Sequence, residues 1–257
     1  MSEVIEVQLK WEYTPDNYFE EPIHIKGNGF ALEISDGVAI AKIEPSLHSR
    51  KPEIKEELTH LIENRLHAVQ IMSHRDFTLS NPSRTDLIED GTRGIFLEAH
   101  SIRVKTKTGS ADLIIRDKDG NIVSDTKRER LNKLKWFAET IDKYRTMDVT
   151  LDQMLKSYQM AVKDPKDELV HLYEIIDSLS SRFGNKKNVI KALGITEKEW
   201  GIIGDLADNQ PLKEGRHRGK NAGTLRPAEN HELEIARKCA SKFVEKYLIF
   251  SETKNHK

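Results

Sequence analysis

Apolar and polar residues alternate along much of the first half of the chain, then apolar residues recur every three or four positions. Alternation marks a half-buried strand, and the longer period marks an amphipathic helix. The clearest strand pair is FALEIS, Asp36-Gly37, VAIAKIE, residues 30–44. Asp-Gly suits a two-residue type I′ turn, in which both central residues need positive φ. That turn fixes a register with Ile34 opposite Ala39, Leu32 opposite Ala41 and Phe30 opposite Ile43 on one face. The run VIEVQLKWEY predicts a further strand, and IFLEAHSIRVKTKTG followed by SADLIIRDKDGNIVSD predicts a second meander turning at Asp119-Gly120. In that meander Arg103, Lys105 and Lys107 share one solvated face. One helix interrupts the strands at about 52–72, with Ile54, Leu58, Leu61, Ile62 and Val69 as its buried stripe. The segment after it, 73–94, is rich in turn formers, and its middle reads as an exposed loop.

From Asp125 onward the period is helical throughout. Leu131, Leu134, Phe137, Ile141 and Tyr144 make one stripe, Leu151, Leu155, Tyr158 and Val162 a second, and Leu169, Leu172, Ile176 and Leu179 a third. Two short helices follow, the second opening on a Thr196–Glu199 capping box. After the loop KEGRHRGKNAG comes a last helix, with Pro227 expected in its first turn. The expected fold class is α+β: a β-rich module over 1–124 with one inserted helix, and an all-α module over 125–257.

Composition changes this picture little. The 41 basic and 42 acidic side chains leave a net charge of -1, so any affinity for nucleic acid has to come from a local patch. The single cysteine, Cys239, falls on the apolar face of the last helix with Ala236, Phe243 and Tyr247, where it acts as a small hydrophobe. An acidic, alternating N-terminus and one cysteine suggest a cytoplasmic protein without a membrane span. Two other constellations carry the residue types of a site. His60, Glu63 and His67 share a helix face, but opposite the apolar stripe, hence towards solvent, where no metal site is expected. The segment NVIKALGITEKEWGIIGDL has helix–turn–helix spacing, but its second helix opens on Glu197 and Glu199, so Trp200, Ile202 and Ile203 read as packing.

The basic loop is the most unusual stretch, carrying Lys213, Arg216, His217, Arg218 and Lys220. A further basic group lies at Lys127, Arg128, Arg130, Lys133 and Lys135, for which pairing with nearby carboxylates is the plain reading. The order LVHLYEIIDSL, FGNKK, LGITEKEW, RHRGK and RPAENHELEIARKCASKFVEKYL, over about 168–248, resembles a helical C-terminal module of prokaryotic proteins. That module is in turn similar to the HEPN superfamily, several members of which are RNases of defence systems. The superfamily motif is an Arg, four to six residues, then His at the entry of a late helix. Arg226 and His231 fit that spacing, with Pro227 where a polar residue is usual. The resemblance therefore implies a metal-independent ribonuclease or RNA-binding module of antiviral or stress response, catalysing through Arg226 and His231. Arg216, His217, Arg218 and Lys220 would contact the nucleic acid or another anion. Expected partners are RNA, a second copy of the chain or another protein, with no cofactor. The alternative is a non-enzymatic assembly module in which the β-rich half recognises a protein or small ligand and the helices dimerise.

Overall fold

The computed structural model describes residues 3–89, 93–96, 112–220 and 222–254. It is mixed as expected: an antiparallel sheet first, then helices. The sheet contains β1 (Val4–Thr14), β2 (Ile23–Gly27), β3 (Phe30–Ser35), β4 (Val38–Ile43), β5 (Thr78–Leu79), β6 (Ser83–Ile88) and β7 (Arg93–Phe96). Its order is β2-β3-β4-β1-β6-β7, with β5 pairing the end of β1. The β3–β4 register is the expected one, Ile34 opposite Ala39, Leu32 opposite Ala41 and Phe30 opposite Ile43. Asp36 and Gly37 have φ of 48° and 80°, the left-handed pair that a type I′ turn requires. A Cβ on Gly37 would also lie 3.0 Å from the Asp16 Cβ, so backbone and neighbours both select glycine there.

The inward residues of β1, Val7, Leu9, Trp11 and Tyr13, are buried beside Leu32, Ile34, Ala39, Ala41 and Ile43. Helix α2 (Ile54–Ser73) buries Ile54, Leu58, Ile62 and Val69, four of its five expected core residues; Leu61 is half-buried. The Trp11 Nε1–H donates to Thr59 Oγ1 at 3.0 Å, which gives a fully buried indole the partner it needs.

Three expectations for this part need correction. A six-residue helix α1 (Pro45–Arg50) precedes α2, so the inserted helix is not single. Pro45 supplies the fixed φ that starts it. The stretch whose middle reads as an exposed loop contains β5 and β6; the break at Ser80, Asn81 and Pro82 is only three residues long, and β6 pairs along β1 from Lys10 to Val4. His67 is not on a solvent face: it is 3 % exposed and meets the Phe77 ring edge-on at 5.3 Å. From Asn64 to Ile71 every residue of α2 is buried, so the polar side of this helix has no solvent there. The basic strand face at Arg103, Lys105 and Lys107 lies outside the described residues.

A separate hairpin, β8 (Ile114–Arg116) and β9 (Ile122–Asp125), turns at Asp119-Gly120 as expected. The Asp117 carboxylate accepts the Asp119 and Asn121 N–H groups, each at 2.9 Å, and fixes that turn.

The remaining helices are α3 (Thr126–Tyr144), α4 (Val149–Lys163), α5 (Glu168–Phe183), α6 (Lys186–Leu193), α7 (Glu197–Gly204) and α8 (Asn230–Lys254). Contacts divide the chain into Met1–Val69 with Phe77–Asn132, and Gln70–Asp76 with Lys133–Lys257. The division falls inside α3 rather than at Asp125, because a continuous helix hides a boundary from a reading based on period. In the second unit most of the predicted stripes are buried: Phe137, Ile141 and Tyr144 on α3, Leu151, Leu155 and Tyr158 on α4, Leu169, Leu172, Ile176 and Leu179 on α5, while Leu134 and Val162 are half-buried. Trp200 and Ile203 are packed, as is Cys239 beside Ala236, Phe243 and Tyr247. Asp148 caps α4 through the N–H groups of Thr150 and Leu151 and accepts the Tyr247 hydroxyl at 2.8 Å. The Thr196–Glu199 capping box is present. Helix α8 begins at Asn230, so Pro227 precedes it; the Glu232 carboxylate instead receives the Glu229 N–H at 2.8 Å at its start. Among the described residues no helix is long and apolar enough to cross a membrane.

Candidate functional site

The basic loop is folded rather than merely solvated. Helix α7 runs on into a π-helical turn, Asp205–Asn209, and the chain then enters the loop through buried Leu212. At the neck the Arg226 N–H donates to Pro211 O and the Lys213 N–H to Arg226 O, both at 2.9 Å. The Arg216 N–H donates to Ala207 O at 2.8 Å, which locks the loop onto the π-turn. That approach needs Gly215, since a Cβ there would lie 2.9 Å from the same carbonyl oxygen. Glu214, the one acid in the loop, accepts the Ala228 N–H at 2.9 Å.

This fixed backbone brings two of the expected residues together. The Arg216 guanidinium lies 4.0 Å from the centroid of the Tyr173 ring, stacked as cation on aromatic face. Its Nη1 is 3.7 Å from Asp208 Oδ1, and His217 Nε2 is 3.5 Å from that same oxygen. Asp208 Oδ1 is buried and accepts no hydrogen bond among the described residues. Asp177 stands 3.9 Å from Arg216, and burial raises its pKa against the opposing pull of that arginine. Burial, then the Asp208 charge, push the Tyr173 phenol up as well. Arg218 pairs with Asp167 and donates to Gly215 O at 3.0 Å. The Lys220 side chain is exposed, while its N–H donates to His217 O at 3.1 Å.

Arg226 and His231 stand differently. Arg226 makes a two-pronged bond to Glu232, 2.7 Å on each prong. That bond, above all, holds the Glu232 carboxyl down to about 2. His231 is exposed, with Nδ1 3.2 Å from Glu229. The two side chains are thus held by different carboxylates, whereas Arg216 and His217 share one. Tyr173, Asp177 and Asp208 were missed as site residues. Their only sequence signal was the tyrosine of the YEIID string, and Asp208 was one acid among 42.

Among the described residues no group of three His, Cys, Asp or Glu side chains converges as a metal site would require. Of the second basic group, Lys127 pairs with Glu21, Arg130 with Glu20 and Asp112, and Lys133 with Glu245, the expected neutralisation. No known protein family matches the chain, and no curated protein or solved structure resembles it significantly.

Proposed function

We propose that the helical unit binds single-stranded RNA and cleaves it by metal-independent acid–base chemistry at the loop cluster. The observation that carries this reading is the shared, buried Asp208 oxygen facing both His217 and Arg216. A carboxylate behind a histidine orients the imidazole and stabilises the imidazolium formed when it takes a proton. An arginine alongside supplies a planar fork suited to a phosphodiester. In this scheme His217 removes the proton of a 2′-hydroxyl, and the 2′-oxygen attacks phosphorus. The bond to the 5′-oxygen breaks, leaving a 2′,3′-cyclic phosphate and, after protonation from solvent, a 5′-hydroxyl. Tyr173 fixes Arg216 by stacking and offers an aromatic edge beside it. The HEPN-like order of α5, α6, α7, loop and α8 supports the same class of activity.

The test is cleavage of labelled single-stranded RNA in the presence of a metal chelator. His217→Ala should lower the rate by about a hundredfold or more while leaving the melting temperature unchanged. Loss with His231→Ala but not with His217→Ala would move the chemistry to the Arg226–His231 pair. RNA retention without cleavage, weakened in Arg216→Ala, would leave a binding module. Neither retention nor cleavage at low salt would overturn the reading in favour of a non-enzymatic assembly role.

A further inference from the structure

Helix α8 carries a second feature that the loop cluster does not use. A cavity of about 590 Å³ lies against it within the helical unit. Ile71, Met72 and Tyr158 give it an apolar part, and the Tyr158 hydroxyl is turned away to Ile71 O at 3.1 Å. Five basic side chains and two acidic ones, Glu234 and Glu245, complete the charged part.

The basic side chains divide by what already holds them. Lys133 is bonded to Glu245 at 2.8 Å, and Lys242 to Glu199. Arg237 is anchored through Nε and Nη2 to the fully buried Glu168, at 2.6 and 2.7 Å. This side-on bond leaves Nη1 donating to nothing among the described residues. Lys238 and Lys246 have no carboxylate within ion-pair distance among the described residues. Lys238, Lys242 and Lys246 stand four residues apart, one above another on the helix. Glu199 matches the middle one, so Lys238 and Lys246 are the two charges of the row left without an anion among the described residues.

His74 closes the other side. It occupies a left-handed position after α2, with φ of 51°, where glycine is the usual residue. Its imidazole is edge-on to the Tyr158 ring at 5.8 Å and 3.4 Å from Glu168. Its Nδ1 is buried without a hydrogen-bond partner among the described residues. The volume is of the size that holds a small molecule.

We propose that this cavity binds a small phosphorylated metabolite, its phosphate held by Arg237 Nη1, Lys238 and Lys246, and its body against Ile71, Met72 and Tyr158. The site is independent of the RNA reading, since it shares no residue with the loop cluster. An anchored arginine supplies direction, and the free lysines supply the uncompensated charge.

The test is calorimetric titration of the full chain with ribose 5-phosphate, with ribose and citrate as controls. Ribose 5-phosphate should bind and raise the melting temperature; ribose should not bind, and citrate should bind more weakly. Lys238→Ala with Lys246→Ala should weaken ribose 5-phosphate binding by about tenfold or more without unfolding the protein, as each lysine removes a charge-assisted contact. His217→Ala should bind it as the unaltered chain does. No binding of ribose 5-phosphate at millimolar concentration, or equal binding by the double variant, overturns the proposal. So does binding of a 5′-phosphorylated RNA oligomer where ribose 5-phosphate fails, which would assign the cavity to a strand of nucleic acid.

Discussion

The basic loop and the basic face of α8 contain the same kinds of residue, yet their charges are held in different ways. In the loop, Arg218 has Asp167, Arg226 has Glu232 and Arg216 has Asp177 and Asp208. On α8, Lys238 and Lys246 face a cavity with no ion-pair partner among the described residues, while Arg237 is tied to a carboxylate that solvent does not reach. The loop arginines therefore fold the loop and leave only the solvent-exposed Lys213 and Lys220 unmatched among the described residues, whereas the unmatched lysines of α8 line a cavity. The lesson is that a basic patch is defined by unmatched cations, which the geometry of pairing decides.

The largest test of this contrast is Arg237→Ala. It strands Glu168, which is 1 % exposed, as an unpaired buried charge. Loss of such a partner should cost about 4 kcal/mol in chemical unfolding. Arg226→Ala should cost less, because Glu232 at 12 % exposed has a route to water. A greater loss in Arg226→Ala than in Arg237→Ala would reverse the comparison.

Acid titration should separate the two regions next. Burial, then the charge of Arg237, lower the His74 pKa from 6.5 to about 4. Between these values the unfolded chain binds more protons than the folded one, so stability falls as pH drops through that window. The full loss amounts to about 3 kcal/mol. In the loop, Glu232 goes from 4.5 to about 2, so its contribution is complete above 4.5 and lost only as pH falls through about 2. Urea melts at pH 7 and pH 5 should thus report His74, and His74→Gln should flatten the difference. An undiminished slope in that variant would assign the effect to other groups.

The smallest expected effects are at the surface. Arg218→Ala should cost less than about 1 kcal/mol, since both members of its pair are substantially exposed. Lys238→Ala with Lys246→Ala should leave stability unchanged or raise it by about 0.5 kcal/mol, through relief of repulsion along the helix. A clear loss in the lysine variant would mean that these side chains hold the fold.

Much of the fold was legible because local signals agreed with one another. Asp36-Gly37 fixed a turn and thereby a register, and the stripes of α4 and α5 fixed which faces meet the core. The strand β6 was not legible, because its partner β1 lies about eighty residues earlier and pairs through main-chain groups that any side chain shares. His67 misled for a related reason: helical spacing shows the side of a helix but not whether another element covers it. In the site, Arg216 and His217 were visible as composition. Asp208 was not, since only the π-turn and the Arg216–Ala207 main-chain bond bring it under them. Lys238, Lys242 and Lys246 give no sequence signal of their own, because a row of lysines at helical spacing looks the same whether it meets solvent or a cavity.

The pinned neck of the loop has a consequence for how this region tolerates change. Pro211, Lys213 and Arg226 close a ring through main-chain bonds, and a Cβ added at Gly219 or Gly223 would meet nothing within 4 Å. Lengthening a closed ring adds only a logarithmic entropy term, about 0.6 kcal/mol for each doubling. A short polar insertion after Gly223 should therefore leave the helices at their original melting temperature, and a protease cut there should yield two fragments that stay together. The same position is where a reporter peptide can be carried without disturbing either basic region.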